Sequence, residues 1–176
     1  VEDPGRIGTL FPEETIMPLK IKPVLIIGTQ TTHVFPRPDG QLEVITDIKA
    51  AEVRVEDRHR RLVENLKADV DFLEPVRVRK TADIAVLKAQ SCEADALLVY
   101  MSAGLEPRGA LEKPVWELSA GIPVIAFSGQ GTPMMGLYNL PAEEREYYSN
   151  VFYALDYRDM EDRIRLLEVR KRLKNT

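Results

Sequence analysis

Ile122 to Gly136 reads IPVIAFSGQGTPMMG: an apolar run, then a loop with glycines at 129, 131 and 136. The run Ile122 to Phe127 predicts a buried strand, since it is continuously apolar and is followed at once by turn-forming residues. The preceding unit is built alike, with Ala96 to Met101 (ALLVYM) leading into Ser102-Ala103-Gly104. An open α/β sheet binds its ligands where strands end in such loops. Glycine lets backbone approach a bound group there, because it has no Cβ in the way. These two edges, side by side, are the site candidates.

Outward from this pair, Pro23 to Gly28 (PVLIIG) predicts the first core strand and Val70 to Leu73 the second, which ends at Glu74-Pro75. Val151 to Leu155 (VFYAL) predicts the fifth. Helical spacing fills the gaps. From about Val53 the apolar residues Val55, Leu62, Val63 and Leu66 recur through a charged run. Thr81 is a suitable cap for a helix reaching Cys92, and a third helix spans about Arg108 to Ala120, with Pro114 near a bend or in its first turn and Gly121 ending it. Pro141-Ala142-Glu143-Glu144 opens a short acidic helix. Asp159 is expected to cap the last helix, in which Met160, Ile164 and Leu167 line one face and Leu166, Val169 and Leu173 widen it. Pro38-Asp39-Gly40 marks a turn, with a short accessory strand over Gln41 to Thr46.

Residues 1–20 are expected to form an irregular arm and residues 21–176 one α/β domain, the first of a longer protein. The alternation of strand and helix predicts a single doubly wound, mostly parallel five-stranded sheet with helices on both faces. Under right-handed crossovers the flavodoxin-like order 2-1-3-4-5 is the simplest arrangement.

A chain of 176 residues, 44% hydrophobic and 30% charged, has the composition of a globular domain large enough to bury a core. The net charge of −4 argues against nucleic acid as a partner, and Arg77, Arg79 and Lys80 are expected on a solvated face. The single cysteine, Cys92, excludes an internal disulfide and fits a reducing, cytoplasmic setting, with the thiol buried in its helix. No apolar run reaches the length of a membrane span, and Glu2 and Asp3 do not suit a signal peptide.

The residues exclude several chemistries. After the first strand the chain reads GTQTTH, residues 28–33, not the glycine pattern of a dinucleotide site. Ser128-Gly129-Gln130-Gly131 suits an anion or a sugar hydroxyl, or serves as a structural turn; it lacks the Lys-Ser/Thr pair of a phosphate loop. Neither Ser102 nor Ser128 sits in a G-x-S-x-G elbow. Of two histidines, His59 lies in the charged run Glu56 to Arg60 and is expected at the surface; His33 stands near Gln30, and one histidine makes no metal site. Five tyrosines between Tyr138 and Tyr157 suit a subunit interface or a packed domain edge.

The stretches Ala94 to Met101 (ADALLVYM), Gly121 to Leu140 (GIPVIAFSGQGTPMMGLYNL) and Tyr153 to Asp156, with the closing helix DRIRLLEVRKRLKNT, resemble the N-terminal domain of the L-fucose and L-arabinose isomerase group. Gly28-Thr29-Gln30 is similar to the G-S-Q of arabinose isomerases. The resemblance implies an aldose–ketose isomerase scaffold that works with manganese on an open-chain sugar. It also implies a homo-oligomer. Metal ligands and proton-transfer carboxylates would come from further domains, beyond Thr176. What carries over is Gln30 and the loop Ser102, Ala103, Gly104 and Leu105, as positions reaching a neighbouring subunit's sugar site; His33 is adjacent. Two readings follow: a substrate-recognition and subunit-packing domain without chemistry of its own, or a freestanding flavodoxin-like module whose two loops hold a sugar, a phosphate or a flavin.

Overall fold

The computed structural model describes residues 17–27, 33–36, 41–66, 70–101, 103–104, 112–127, 150–154 and 156–174. In chain order these hold β1 (Leu19–Ile26), β2 (His33–Pro36), β3 (Leu42–Ile45), α1 (Ile48–Asn65), β4 (Val70–Phe72), β5 (Val76–Val78) and α2 (Ala82–Gln90). There follow β6 (Ala96–Met101), β7 (Ala103–Gly104), α3 (Glu112–Glu117), β8 (Val124–Phe127), β9 (Val151–Ala154) and α4 (Tyr157–Lys174). The fold is α/β, with an open parallel sheet ordered β4-β1-β6-β8-β9 and β5 also paired to β1. Among the described residues every strand pair in this sheet is parallel.

Among the described residues the sheet has six strands, not the expected five, because the chain, having ended the second expected strand at Glu74-Pro75, pairs with β1 again after that break as β5. Pro23 explains the break. Along β1, Lys20 bonds to Asp95 on the β6 side, whereas the Ile21 carbonyl and the Ile27 N–H bond to Leu73 and Val78 on the other. Backbone groups alternate sides along a strand, so the nitrogen of Pro23, which carries no hydrogen, faces the second side. There the partner strand stops at Phe72 and resumes at Val76. The ladder is interrupted where β1 has no donor to give. Nor does the sheet run as a plain 2-1-3-4-5 along the chain, since β2 and β3 leave it. The accessory strand exists as β3, but in a separate antiparallel sheet, β3-β2-β7.

Helices cover both faces. On one, Ala51, Val55 and Leu62 of α1 and Met160, Ile164 and Leu167 of α4 pack over Ile21, Leu25, Leu98, Tyr100, Ile125 and Phe127. On the other, Leu87 of α2 with Val115 and Trp116 of α3 packs over Val24, Ile26, Leu97, Val99, Val124 and Ala126. The alternation of side chains along β6 sends Leu97 and Val99 one way, Leu98 and Tyr100 the other. At the amino edge, Oδ2 of Asp95 accepts from the Lys20 N–H at 2.8 Å and from Nζ of Lys171 at 2.6 Å, tying the last turn of α4 to β1.

Local details depart from expectation. Thr81 makes no cap bond; Asp83 instead accepts from the N–H groups of Arg79 and Lys80, which holds its carboxyl below the usual range. Asp156, not Asp159, caps α4, accepting from the Asp159 N–H at 2.8 Å. Val63 of α1 is exposed, as are Leu166, Val169 and Leu173 of α4, which do not widen the buried stripe. Cys92 is exposed in a 3-10 turn, Ser91–Glu93, with Sγ 3.1 Å from the Ala89 carbonyl. Gly121 follows a 3-10 turn, Leu118–Ala120, with φ of −111°, a conformation that does not demand glycine. The acidic helix expected at Pro141 lies outside the described residues.

Candidate functional site

From β1 the chain first adds strands on one side, β4 and β5, and then crosses to the other to add β6. The order of winding reverses between β1 and β6, and the carboxyl ends of such a strand pair leave a crevice between the departing loops. Ile26 and Met101 are register partners at that end. Beyond it the two chains meet again. β1 leads to β2 and β6 leads to β7, and these pair antiparallel, His33 with Gly104 and Val34 with Ala103. Three expected site residues, His33, Ala103 and Gly104, are thereby brought together in one small sheet over the reversal point. Gln30, Ser102, Leu105 and the loop Ser128, Gly129, Gln130 and Gly131 lie outside the described residues. So do Tyr138, Tyr147 and Tyr148.

Just inside the same edge, a polar cluster interrupts the apolar core. Tyr100 and Phe127 are buried partners near the ends of β6 and β8, their rings edge to face with centroids 6.1 Å apart. His59 from α1 is half-buried against them, not at the surface. Its Nδ1 lies 3.2 Å from Oη of Tyr100, and its ring meets Tyr100 and Phe72 edge-on, each at 5.4 Å. Arg58 extends over the Phe127 ring, 5.7 Å from its centroid, and Tyr157 packs on that ring at 5.1 Å. Burial sets the charge states. It lowers the pKa of His59 and of Arg58, because both lose water around their charged forms. It pushes the Tyr100 hydroxyl well above its ordinary value, with the nearby Tyr157 adding to the shift. The cluster thus pairs a neutral imidazole with a neutral phenol, beside one cation.

The run of charges around His59 hid this cluster in the sequence, yet the signal was present. Val55 and Leu62 mark the buried side of α1, and Arg58 and His59, three and four residues after Val55, share that side. The outer sides of α1 are tied by ion pairs, Arg54 to Glu43 of β3 at 2.8 Å and Arg77 of β5 to Glu56 at 2.5 Å. Arg79 likewise reaches Glu52 at 2.5 Å, so two of the three residues of the expected basic face are neutralised. The first half of α1 thus packs Ala51 and Val55 on the large sheet while Arg54 reaches the small one.

Among the described residues no three His, Cys, Asp or Glu side chains gather to hold a metal ion. Among the described residues, no helix is long and apolar enough to cross a membrane. Comparison with protein-family models, with curated proteins and with solved structures gave no match.

Proposed function

We propose that the chain binds a small polar ligand, a sugar, in the crevice between the carboxyl ends of β1 and β6. It serves as the substrate-recognition and subunit-packing domain of a sugar isomerase-like homo-oligomer, with no chemistry of its own. The observation that carries this reading is the pairing of His33 with Gly104, which draws the two strand exits together over the reversal point. A flavodoxin-like frame is part of the proposal. In its support, the segments expected as core strands lie across the sheet as 70–72, 19–26, 96–101, 124–127 and 151–154. On this reading Gln30, His33 and the Ser102–Leu105 loop contact sugar hydroxyls, and Ser128 to Gly131 closes the far side. Manganese and the proton-transfer carboxylates belong to other domains of such a protein.

Titration of the labelled chain with an aldopentose and a 6-deoxyaldohexose, followed by amide NMR shifts, tests the reading. Shifts confined to the exits of β1, β6 and β8 are the expected outcome, weakened by Gln30→Ala. Silence with both sugars sinks it, and saturable binding of inorganic phosphate or a flavin assigns the crevice to a freestanding module instead. Ketose formation by this chain with manganese alone would also overturn it.

A further inference from the structure

Helix α4 has two apolar faces, and the protein uses one. Met160, Ile164 and Leu167 are buried in the core. Leu166, Val169 and Leu173 point the opposite way and are 63%, 53% and 73% exposed. With the exposed Asp162 they fall at positions 162, 166, 169 and 173, the alternating spacing of four and three that keeps side chains on one seam of a helix. Single exposed apolar residues need no explanation, but three in register along one helix form a continuous strip. The strip is narrow and contains no aromatic side chain.

The border of that strip is basic. Helix α4 carries seven basic and four acidic side chains. Three of the four acids are occupied within the helix: Asp159 by Arg163, Glu161 by Arg165 and Glu168 by Arg172. Lys171 turns inward to Asp95 and the Pro18 carbonyl. Arg170 and Lys174, which flank Val169 and Leu173, have no ion-pair partner among the described residues. The strip therefore pairs an apolar seam with excess positive charge at its carboxyl half, on a chain whose net charge is −4.

We infer that the outer face of α4 docks an acidic amphipathic helix of another protein, with apolar residues at the same spacing and Asp or Glu along its flanks. Charge complementarity selects this occupant. A second copy of α4, related by a two-fold axis, would set each border against the identical border, arginine facing arginine. An acidic helix meets Arg170 and Lys174 with opposite charge while covering Leu166, Val169 and Leu173. The heptad spacing and the lack of an aromatic anchor favour a helix over a membrane surface.

The test uses the 176-residue chain and two designed amphipathic helical peptides, alike except that one carries Glu and the other Lys at the flanking positions. Fluorescence anisotropy is expected to show the Glu peptide binding at least about tenfold more tightly, with affinity that falls as salt rises. Leu166→Glu with Val169→Glu removes binding. Arg170→Glu with Lys174→Glu reverses the preference, so that the Lys peptide wins; since all four side chains lie on the helix exterior, thermal melting is expected to be unchanged. Equal binding of the two peptides, or binding that survives the Leu166 and Val169 changes, overturns the inference. So does a dimer in sedimentation, or capture by phosphatidylserine vesicles, that the same two changes abolish.

Discussion

Leu97 and Leu98 are neighbours in β6, both fully buried, yet they enter different interiors. Leu97 joins a core of short branched side chains, Val24, Val76, Val78, Val99 and Val124 among them, closed by Leu87 and Trp116. Leu98 lies on the face of Tyr100 and Phe127, where α1 brings Arg58 and His59 down to the sheet. A core of branched aliphatic chains fills volume and offers no chemistry. A core that admits a phenol, an imidazole and a guanidinium bears the cost of desolvating them, and here it does so near the strand ends where ligands of such sheets bind. One face seals the sheet against its helices; the other couples that sheet to titratable groups.

The largest effects are expected from cavities. Leu97→Ala and Leu98→Ala should each lower stability by about 2–5 kcal/mol in chemical denaturation. A much smaller loss at Leu98 would mean that the aromatic face relaxes around a void and is the softer of the two. Tyr100→Phe comes next, at about 1 kcal/mol, since it removes the hydroxyl facing Nδ1 of His59 while keeping the ring contacts. The same face should give the protein a pH response. The folded pKa of His59 lies below its ordinary 6.5, so as pH falls the unfolded chain takes up the proton first. Stability from this group is full above 6.5 and declines below it, down through the lowered value. His59→Phe should flatten the denaturation midpoint between neutral and mildly acidic pH; an unchanged slope would place the response elsewhere. The smallest effect lies across the sheet. The Ser119 side-chain oxygen is buried without a hydrogen-bond partner, although its carbonyl accepts from Asn150 Nδ2 at 3.2 Å. Ser119→Ala should therefore be neutral or stabilising by up to about 1 kcal/mol, and a clear loss would reveal a bond at that hydroxyl.

The core strands were legible because buried parallel strands are continuous apolar runs, as PVLIIG, ALLVYM and VFYAL are. The end of the second strand was legible in Glu74-Pro75, but its resumption as β5 was not, because what faces the gap is Pro23, about fifty residues away in the chain. The small sheet escaped for a like reason. A two-residue strand such as Ala103–Gly104 has no periodicity, and its pairing with His33 is purely tertiary. Of the site, the reversal point could be placed from the strand order, and the cluster beneath it could not. Charged neighbours dominate the run Glu56 to Arg61, so its two sheet-facing members look like the rest. On α4 the error had the opposite sign: Leu166, Val169 and Leu173 are apolar, and apolarity alone does not say which side of a helix faces the domain.

The central position of β1 also bears on how the protein is made. β1 precedes every strand it pairs with, and Asp95, which meets Lys20 at the mouth of the β6 pairing, follows it by 75 residues. A ribosome adding about 5–20 residues per second needs about 4–15 s to deliver that partner. Until β4 follows, about fifty residues after Lys20, β1 is a nascent segment with both edges open, and its β6 edge stays open for the whole interval. Lys20 and Lys22, the charged residues within it, are then what stands between that segment and premature pairing with a neighbouring chain.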